Sequence, residues 1–225
     1  MERIGFNSQF GCWRREFNGV VVFTCLMLVA LPGRAAELKL LVLGDSLSAG
    51  YGLKQADAFP SQLEAALRAA GTAVRVINAG VSGDTTAGGR ARLGWSLADK
   101  PDAMILELGA NDGLRGLDPA QTRANLDAIL AEATKQRLPI LLAGMKAPPN
   151  LGREYAAEFE AIYTDLATLH GIALYPFFLE GVAAVPALNQ EDGIHPNAEG
   201  VAVIVKRLLA AVTDLLRRAG KKKAP

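Results

Sequence analysis

From residue 38 onward, short runs that are apolar at every position alternate with longer amphipathic stretches. Continuously apolar runs are typical of strands that are covered on both faces. They predict strands at residues 38–43, 73–77, 103–108, 140–143 and 172–175. The amphipathic stretches predict helices at residues 60–70, 87–97, 119–136, 153–169 and 197–218. Strands that alternate with helices in this way indicate an α/β fold built on a parallel sheet of five strands, with helices on both faces.

Polar residues follow the predicted strands. In parallel sheets, functional sites collect just beyond the carboxyl ends of the strands. The first strand is followed by Gly44-Asp45-Ser46, the second by residues 78–86 and the third by residues 108–113. A long loop after the last strand ends in "EDGIHPNAEG", residues 191–200, just before the final helix. These four loops are therefore the expected location of the function.

The first 36 residues have a different character from the rest of the chain. Arg14 and Arg15 precede an apolar run, "GVVVFTCLMLVAL", and "PGRAAE" follows it. This order predicts an export signal that is cleaved after Ala35 or Ala36, and a periplasmic or secreted protein. The apolar run is shorter than a membrane-spanning helix requires. The arginine pair resembles a twin-arginine signal, whereas the very apolar run favours the general secretory route, and both routes stay open.

Composition narrows the classes of function. The chain has 225 residues, half of them hydrophobic, and a formal net charge of +1. That predicts one globular domain at residues 37–218 and a basic tail at 219–225, and it indicates no nucleic-acid partner. Both cysteines, Cys12 and Cys25, lie in the predicted signal, so cysteine chemistry and disulfides are not expected. Two histidines leave few ligands for zinc, and we expect neither a metal nor an organic cofactor.

A histidine, an aspartate and a serine are candidates for nucleophilic catalysis. His195 lies three residues after Asp192, which can accept a hydrogen bond from one imidazole nitrogen. The other nitrogen is then free to take a proton from a nucleophile. Ser46 is the plausible nucleophile because it follows the first strand. The alternative is a helix start capped by Asp192 or by Asn197. The second histidine, His170, is explained by its place at a predicted helix end.

Acyl transfer also needs hydrogen-bond donors for the oxyanion that forms in the transition state. The candidates are the backbone N–H groups of Ser46 and Gly83 and the side-chain amide of Asn111. Gly83 also fits an ordinary turn, and residues 111–113 also fit a plain turn. Asp45 either braces the turn before Ser46 or caps the following helix, and we assign it no chemical step.

Four segments resemble the conserved blocks of the SGNH (GDSL) hydrolase family. They are "GDSLSAGYG", "NAGVSGDTT", "LGANDG" and "DGIHP", in the family's order, and the resemblance covers the chain from residue 38 to residue 216. "ELGANDGLRG" and "DGIHPN" further resemble the bacterial periplasmic branch described as arylesterase, acyl-CoA thioesterase and lysophospholipase. The resemblance implies a flavodoxin-like three-layer α/β/α sandwich.

The resemblance also implies a role for each site residue. Ser46 is the expected nucleophile, His195 the base and then the acid, and Asp192 the residue that orients His195. The backbone N–H groups of Ser46 and Gly83 and the amide of Asn111 are the expected oxyanion hole. The implied reaction is hydrolysis of carboxylic esters and thioesters, including aryl esters, acyl-CoA and lysophospholipids, through an acyl-serine intermediate.

The acyl-binding residues are less well specified by the sequence. The loop after the fourth predicted strand should border the site, and it contains Met145, Leu151 and Tyr155. These three are candidates for an acyl channel, although packing alone explains them equally well. The sequence specifies no oligomeric state.

Three other functions compete with an esterase. A carbohydrate O-deacetylase would use the same site in a shallow polar cleft, with short acyl groups only. A secreted binding protein without activity would have lost some of the catalytic residues, and none is missing here. A flavodoxin-like nucleotide binder would need a glycine-rich phosphate loop after a strand, and the chain has none.

Overall fold

A computed structural model describes residues 1–2 and 37–223, which include a parallel sheet of five strands. The strands are β1 (Leu38–Gly44), β2 (Val74–Gly80), β3 (Ala103–Glu107), β4 (Ile140–Ala143) and β5 (Ala173–Tyr175). Their spatial order is β2-β1-β3-β4-β5, and every neighbouring pair is parallel. This is the strand order of flavodoxin-like doubly wound sheets, and it confirms the predicted fold class.

Helices cover both faces of the sheet. They are α1 (Ser46–Ala49), α2 (Phe59–Ala69), α3 (Thr86–Leu97), α4 (Ala110–Leu114), α5 (Pro119–Lys135), α6 (Arg153–His170) and α7 (Ala198–Lys223). Helices α2 and α7 pack together on one side, and α5 packs between α3 and α6 on the other. Residues 40–43 of β1 and 103–106 of β3 are fully buried between these layers. The continuously apolar strands therefore reflect burial on both faces.

Two boundaries differ from the sequence-based expectation by three residues or more. Strand β2 continues to Gly80, because Asn78, Ala79 and Gly80 pair in register with the end of β1. Helix α7 continues to Lys223, past the predicted end at Arg218, and Ala219 is only 3% exposed. The basic residues after 219 therefore begin on a helix that still packs against the core. The predicted export signal, residues 1–36, lies outside the described residues apart from residues 1 and 2.

Two paired glycines at the ends of β1 and β2 bring α1 close to the sheet. Gly44 and Gly80 are partners in the parallel ladder. A Cβ at Gly80 would collide with the backbone nitrogen of Ala49, and a Cβ at Gly44 would collide with the Ser48 side chain. The absence of side chains at these two positions lets α1 begin directly above the carboxyl edge of the sheet.

No helix within residues 37–223 combines the length and the apolar character that a membrane crossing requires. In the same part of the chain, no group of three or more His, Cys, Asp or Glu side chains is arranged to hold a metal ion.

Candidate active site

Ser46 is the first residue of α1, two residues beyond the end of the inner strand β1. The carboxylate of Asp45 accepts a hydrogen bond from the backbone N–H of Leu47 at 3.0 Å and caps the helix. The first backbone N–H groups of a helix have no acceptor within the helix. Ser46 therefore presents both a hydroxyl and a backbone N–H at the carboxyl edge of the sheet, where it is 9% exposed.

His195 and Asp192 complete a hydrogen-bonded chain that reaches Ser46. His195 Nε2 lies 2.9 Å from Ser46 Oγ, and His195 Nδ1 lies 2.7 Å from Asp192 Oδ2. The other carboxylate oxygen of Asp192 accepts the backbone N–H groups of Ile194 and His195 at 2.9 and 3.0 Å. These backbone and side-chain hydrogen bonds lower the pKa of Asp192 to about 2. Asp192 is therefore ionised at neutral pH and holds the imidazole towards the serine.

Gly83 lies in the turn that follows β2, and Asn111 lies on the short helix α4 directly after β3, so both are near strand ends, as the sequence predicted. Gly83 has φ +82°, a left-handed conformation that side chains disfavour, so the turn itself requires glycine. The side-chain amide of Asn111 donates to the backbone oxygen of Asp84 at 2.9 Å and to Asp45 Oδ2 at 3.2 Å. An oxyanion that accepts a hydrogen bond from Asn111 would have to share one of these amide hydrogens with Asp84 or Asp45.

Arg92, on helix α3, connects three parts of the site. Its guanidinium donates to the backbone oxygens of Gly44 at 2.8 Å and Ala79 at 2.6 Å, at the ends of β1 and β2. It also pairs with Asp84 Oδ2 at 2.6 Å. The backbone oxygen of Asp84 also accepts a hydrogen bond from the Asn111 amide. Arg92 therefore fixes the loop between Gly83 and α3 relative to the two strand ends.

Two buried carboxyl groups lie directly behind the serine. Asp45 and Glu107 are both fully buried, and Glu107 Oε2 contacts the Ser48 hydroxyl at 2.5 Å. Burial raises the pKa of Asp45 to about 6. Burial, together with the nearby Asp45 charge, raises the pKa of Glu107 well above its usual range. Glu107 Oε1 has no hydrogen-bond partner among the described residues. Within the sequence, Glu107 is marked only by its place at the end of an apolar strand.

The buried Asp45 should make stability depend on pH. Its pKa is about 6 in the folded chain and 3.8 without the fold, so the folded state binds more protons between these values. Stability must then fall as the pH rises through that window. Measured against Asp45→Asn, the parent should lose about 3 kcal/mol of unfolding free energy between about pH 4 and pH 7. Urea unfolding at several pH values tests this, and a pH-independent difference would contradict it.

A cleft of about 350 Å³ opens beside Ser46 and His195. Its wall is mainly apolar, and the lining residues include Leu47, Leu114, Met145, Phe177, Leu179 and Ile194. Of the three candidates for acyl binding, Met145 lines this cleft. Leu151 and Tyr155 do not: Leu151 lies in a short 3₁₀ turn, and the Tyr155 hydroxyl donates to the backbone oxygen of Leu117 at 2.7 Å.

An aromatic ring packs against the candidate catalytic histidine. The Tyr51 ring lies 4.6 Å from the His195 ring, centroid to centroid, and the two rings are tilted by 37°.

The second histidine lies away from the cleft. His170, at the end of α6, pairs with Asp127 Oδ1 at 2.6 Å. His170 is not among the residues that line the cleft, in agreement with its interpretation as a helix-end residue.

The chain is similar in sequence and in fold to known hydrolases. Residues 42–203 match the model of the GDSL-like lipase/acylhydrolase family. The chain is 46% identical over 173 residues to esterase TesA of Pseudomonas aeruginosa, covering 76% of this chain and 86% of that protein. It is 43% identical to thioesterase 1/protease 1/lysophospholipase L1 of Escherichia coli strain K12, covering 87% and 89%. The crystal structure of AlinE4, an SGNH-hydrolase family esterase, superposes with a TM-score of 0.68 at 51% identity and covers 80% of this chain and 97% of that one.

Proposed function

This chain belongs to the GDSL-like lipase/acylhydrolase family and is a carboxylic ester hydrolase; we propose that it cleaves esters and thioesters through an acyl intermediate on Ser46. The observation that carries the proposal is the hydrogen-bonded chain from Asp192 through His195 to Ser46, with distances of 2.7 and 2.9 Å. Relatives named esterase, arylesterase and thioesterase support both substrate classes.

In the proposed acylation step, His195 Nε2 removes the proton from Ser46 Oγ as that oxygen attacks the substrate carbonyl. Asp192 accepts the Nδ1 proton of His195, which fixes the tautomer in which Nε2 is free to act as a base. The ionised Asp192 also stabilises the imidazolium that forms. The tetrahedral oxyanion receives hydrogen bonds from the backbone N–H groups of Ser46 and Gly83 and from the Asn111 amide.

Collapse of this intermediate expels the alcohol or thiol, and His195 supplies the proton that an alkoxide leaving group needs. Water then attacks the acyl-serine, with His195 again acting as the base, and the carboxylic acid leaves. No step requires a metal or an organic cofactor, because the attacking, proton-transferring and charge-stabilising groups are all side chains or backbone of this chain.

Loss of the Asn111 amide should slow the chemical step. We expect Asn111→Ala to lower kcat about 10²- to 10³-fold with little change in KM, because the lost hydrogen bond strengthens only as the oxyanion forms. Asn125→Ala is a matched control: the Asn125 amide bonds to Thr86 at 3.3 Å and does not line the cleft. An Asn111→Ala variant with the kcat of the parent would remove Asn111 from the oxyanion hole.

The preferred acyl group tests the esterase proposal against its main alternative. We expect the mainly apolar cleft to accept medium-length acyl chains, because methylene groups gain free energy when they leave water. The test is hydrolysis of p-nitrophenyl esters from acetyl to palmitoyl, with Met145→Asp as the cleft variant. Activity on medium chains that Met145→Asp selectively reduces supports the esterase. Activity confined to acetyl esters would favour the carbohydrate O-deacetylase, which uses the same residues.

The location of the enzyme is also a proposal. The order of charged, apolar and small residues in positions 1–36 supports an export signal and a periplasmic or secreted hydrolase. Mass spectrometry of the protein from a periplasmic fraction should give an N-terminus at Ala36 or Glu37. An N-terminus at Met1 on a protein confined to the cytoplasm would contradict export. The proposed partners are small-molecule esters and thioesters.

A further inference from the structure

One charged side chain lies in the wall of the cleft that holds Ser46 and His195. Within residues 37–223, Lys146 is the only lining residue with a fixed charge. Its neighbours in the wall, Met145 and Ala147, are apolar. A purely aliphatic acyl chain gains nothing from an ammonium group, so the position of Lys146 needs another explanation.

The ammonium group is held by an aromatic ring rather than by a carboxylate. Lys146 Nζ lies 5.0 Å from the centroid of the Phe177 ring, which also lines the cleft. The ion pairs within the described part of the chain do not include Lys146. A cation over an aromatic face is attracted to the ring but keeps its hydrogen-bond donors available. Lys146 therefore retains capacity to bind an anion.

The two segments that carry this pair are fixed to each other by backbone hydrogen bonds. The backbone N–H of Gly144 donates to the oxygen of Tyr175, and that of Phe178 donates to the oxygen of Gly144, both at 2.8 Å. Met145 is 2% exposed, and its side chain packs with the hydrophobic core. The backbone on both sides of the cation–π pair is thus set by the sheet edge, which gives the pair a defined place in the cleft wall.

We infer that Lys146 and Phe177 form a subsite for an anionic group of the substrate, a carboxylate or a phosphate, with the ring supporting the ammonium. This inference rests on the proposed ester hydrolysis and adds charge selectivity to it. The anionic group has two possible sources, the far end of the acyl chain or the leaving group. In either case the ammonium, which belongs to a solvent-exposed side chain at the cleft, donates a charge-assisted hydrogen bond to the anionic group.

The test compares matched pairs of chromogenic esters. The acyl arm sets the p-nitrophenyl monoester of glutaric acid, with a terminal carboxylate, against neutral p-nitrophenyl pentanoate. The leaving-group arm sets a butanoate ester of a carboxy-substituted nitrophenol against p-nitrophenyl butanoate. The readout is the ratio of kcat/KM for the anionic ester to that for its neutral partner, which cancels differences in folding and active fraction.

Lys146→Gln should lower this ratio about tenfold in one of the two arms, mainly through KM, because one charge-assisted hydrogen bond is lost. Lys146→Arg should restore most of the ratio, since it keeps the charge and the stacking on Phe177. Lys135→Gln, at the end of α5 and outside the cleft, removes the same charge and should leave both ratios unchanged. Salt at about 1 M should reduce the parent's ratio towards that of Lys146→Gln.

The arm that responds identifies the source of the anionic group. Equal ratios for the parent and Lys146→Gln in both arms, with the neutral esters still hydrolysed, would overturn the subsite and leave the proposed function intact. An equal loss of ratio in Lys135→Gln would also overturn it, because the effect would then belong to overall charge. Failure of the parent to hydrolyse any of the four esters would instead refute the proposed function.

Discussion

Replacing Ser46 with alanine should lower kcat for ester hydrolysis about 10⁴- to 10⁶-fold, the largest effect of any single change in this protein. The hydroxyl that Ser46→Ala removes is the atom that would bond to the acyl group, and it lies 2.9 Å from the imidazole that would take its proton. Residual activity above that in water should remain, because the oxyanion donors and the cleft are still present. Steady-state hydrolysis of p-nitrophenyl butanoate, with circular dichroism to verify folding, measures this loss.

Ser48→Ala is the matched control on the same short helix. Its hydroxyl donates to Glu107 Oε2 at 2.5 Å, whereas the hydroxyl that His195 Nε2 contacts is that of Ser46. We expect this variant to lose stability, because a buried hydrogen bond to a carboxyl group is removed, and to keep kcat within about tenfold of the parent. Full activity in Ser46→Ala, or an equal loss in both variants, would contradict the assignment of Ser46 as the nucleophile.

Replacing Asp192 with asparagine should have the second largest effect, a fall in kcat of about 10³- to 10⁴-fold. An asparagine oxygen can still accept the backbone N–H groups of Ile194 and His195, so the loop should persist. With its oxygen on those backbone groups, the asparagine presents its amide nitrogen, an N–H donor, to His195 Nδ1. This arrangement favours the tautomer with a proton on Nε2, which cannot remove the Ser46 proton.

The second aspartate–histidine pair of the chain provides the control for this change. Asp127 Oδ1 lies 2.6 Å from His170 Nε2, outside the cleft, so Asp127→Asn makes the same chemical replacement in a similar pair. We expect its kcat to stay within about twofold of the parent, as for a surface substitution away from the site. If Asp127→Asn and Asp192→Asn reduced kcat equally, orientation of His195 by Asp192 could not be the cause.

The sheet and the four site loops were predictable because their signals are local. A strand covered on both faces must be apolar at each position, and a parallel sheet must place its loops at one edge. Ser46, Asn111 and His195 were therefore found from their positions after strands or before the last helix. The turn at position 83 adopts a left-handed backbone conformation, which explains why the residue there is glycine.

Features that depend on distant contacts were not predictable in the same way. Glu107 meets Ser48, which is 59 residues away in sequence, and Arg92 reaches Gly44 across 48 residues. The acyl candidates were chosen by proximity in sequence, yet the cleft takes Met145 from that loop and Phe177 from the segment after β5. Which side chains line a cleft depends on how separate loops pack, and the sequence pattern carries no such information.

Covalent labelling tests the central claim, an acyl intermediate on Ser46, most directly. The protein is incubated with a p-nitrophenyl phosphonate ester, whose phosphorus is attacked by an activated serine to give a stable adduct. Intact mass and peptide mapping then locate the label. We expect one phosphonyl group per chain, on Ser46, with activity lost in proportion to labelling. Complete inactivation with the label on another residue, or with Ser46 unmodified, would contradict it.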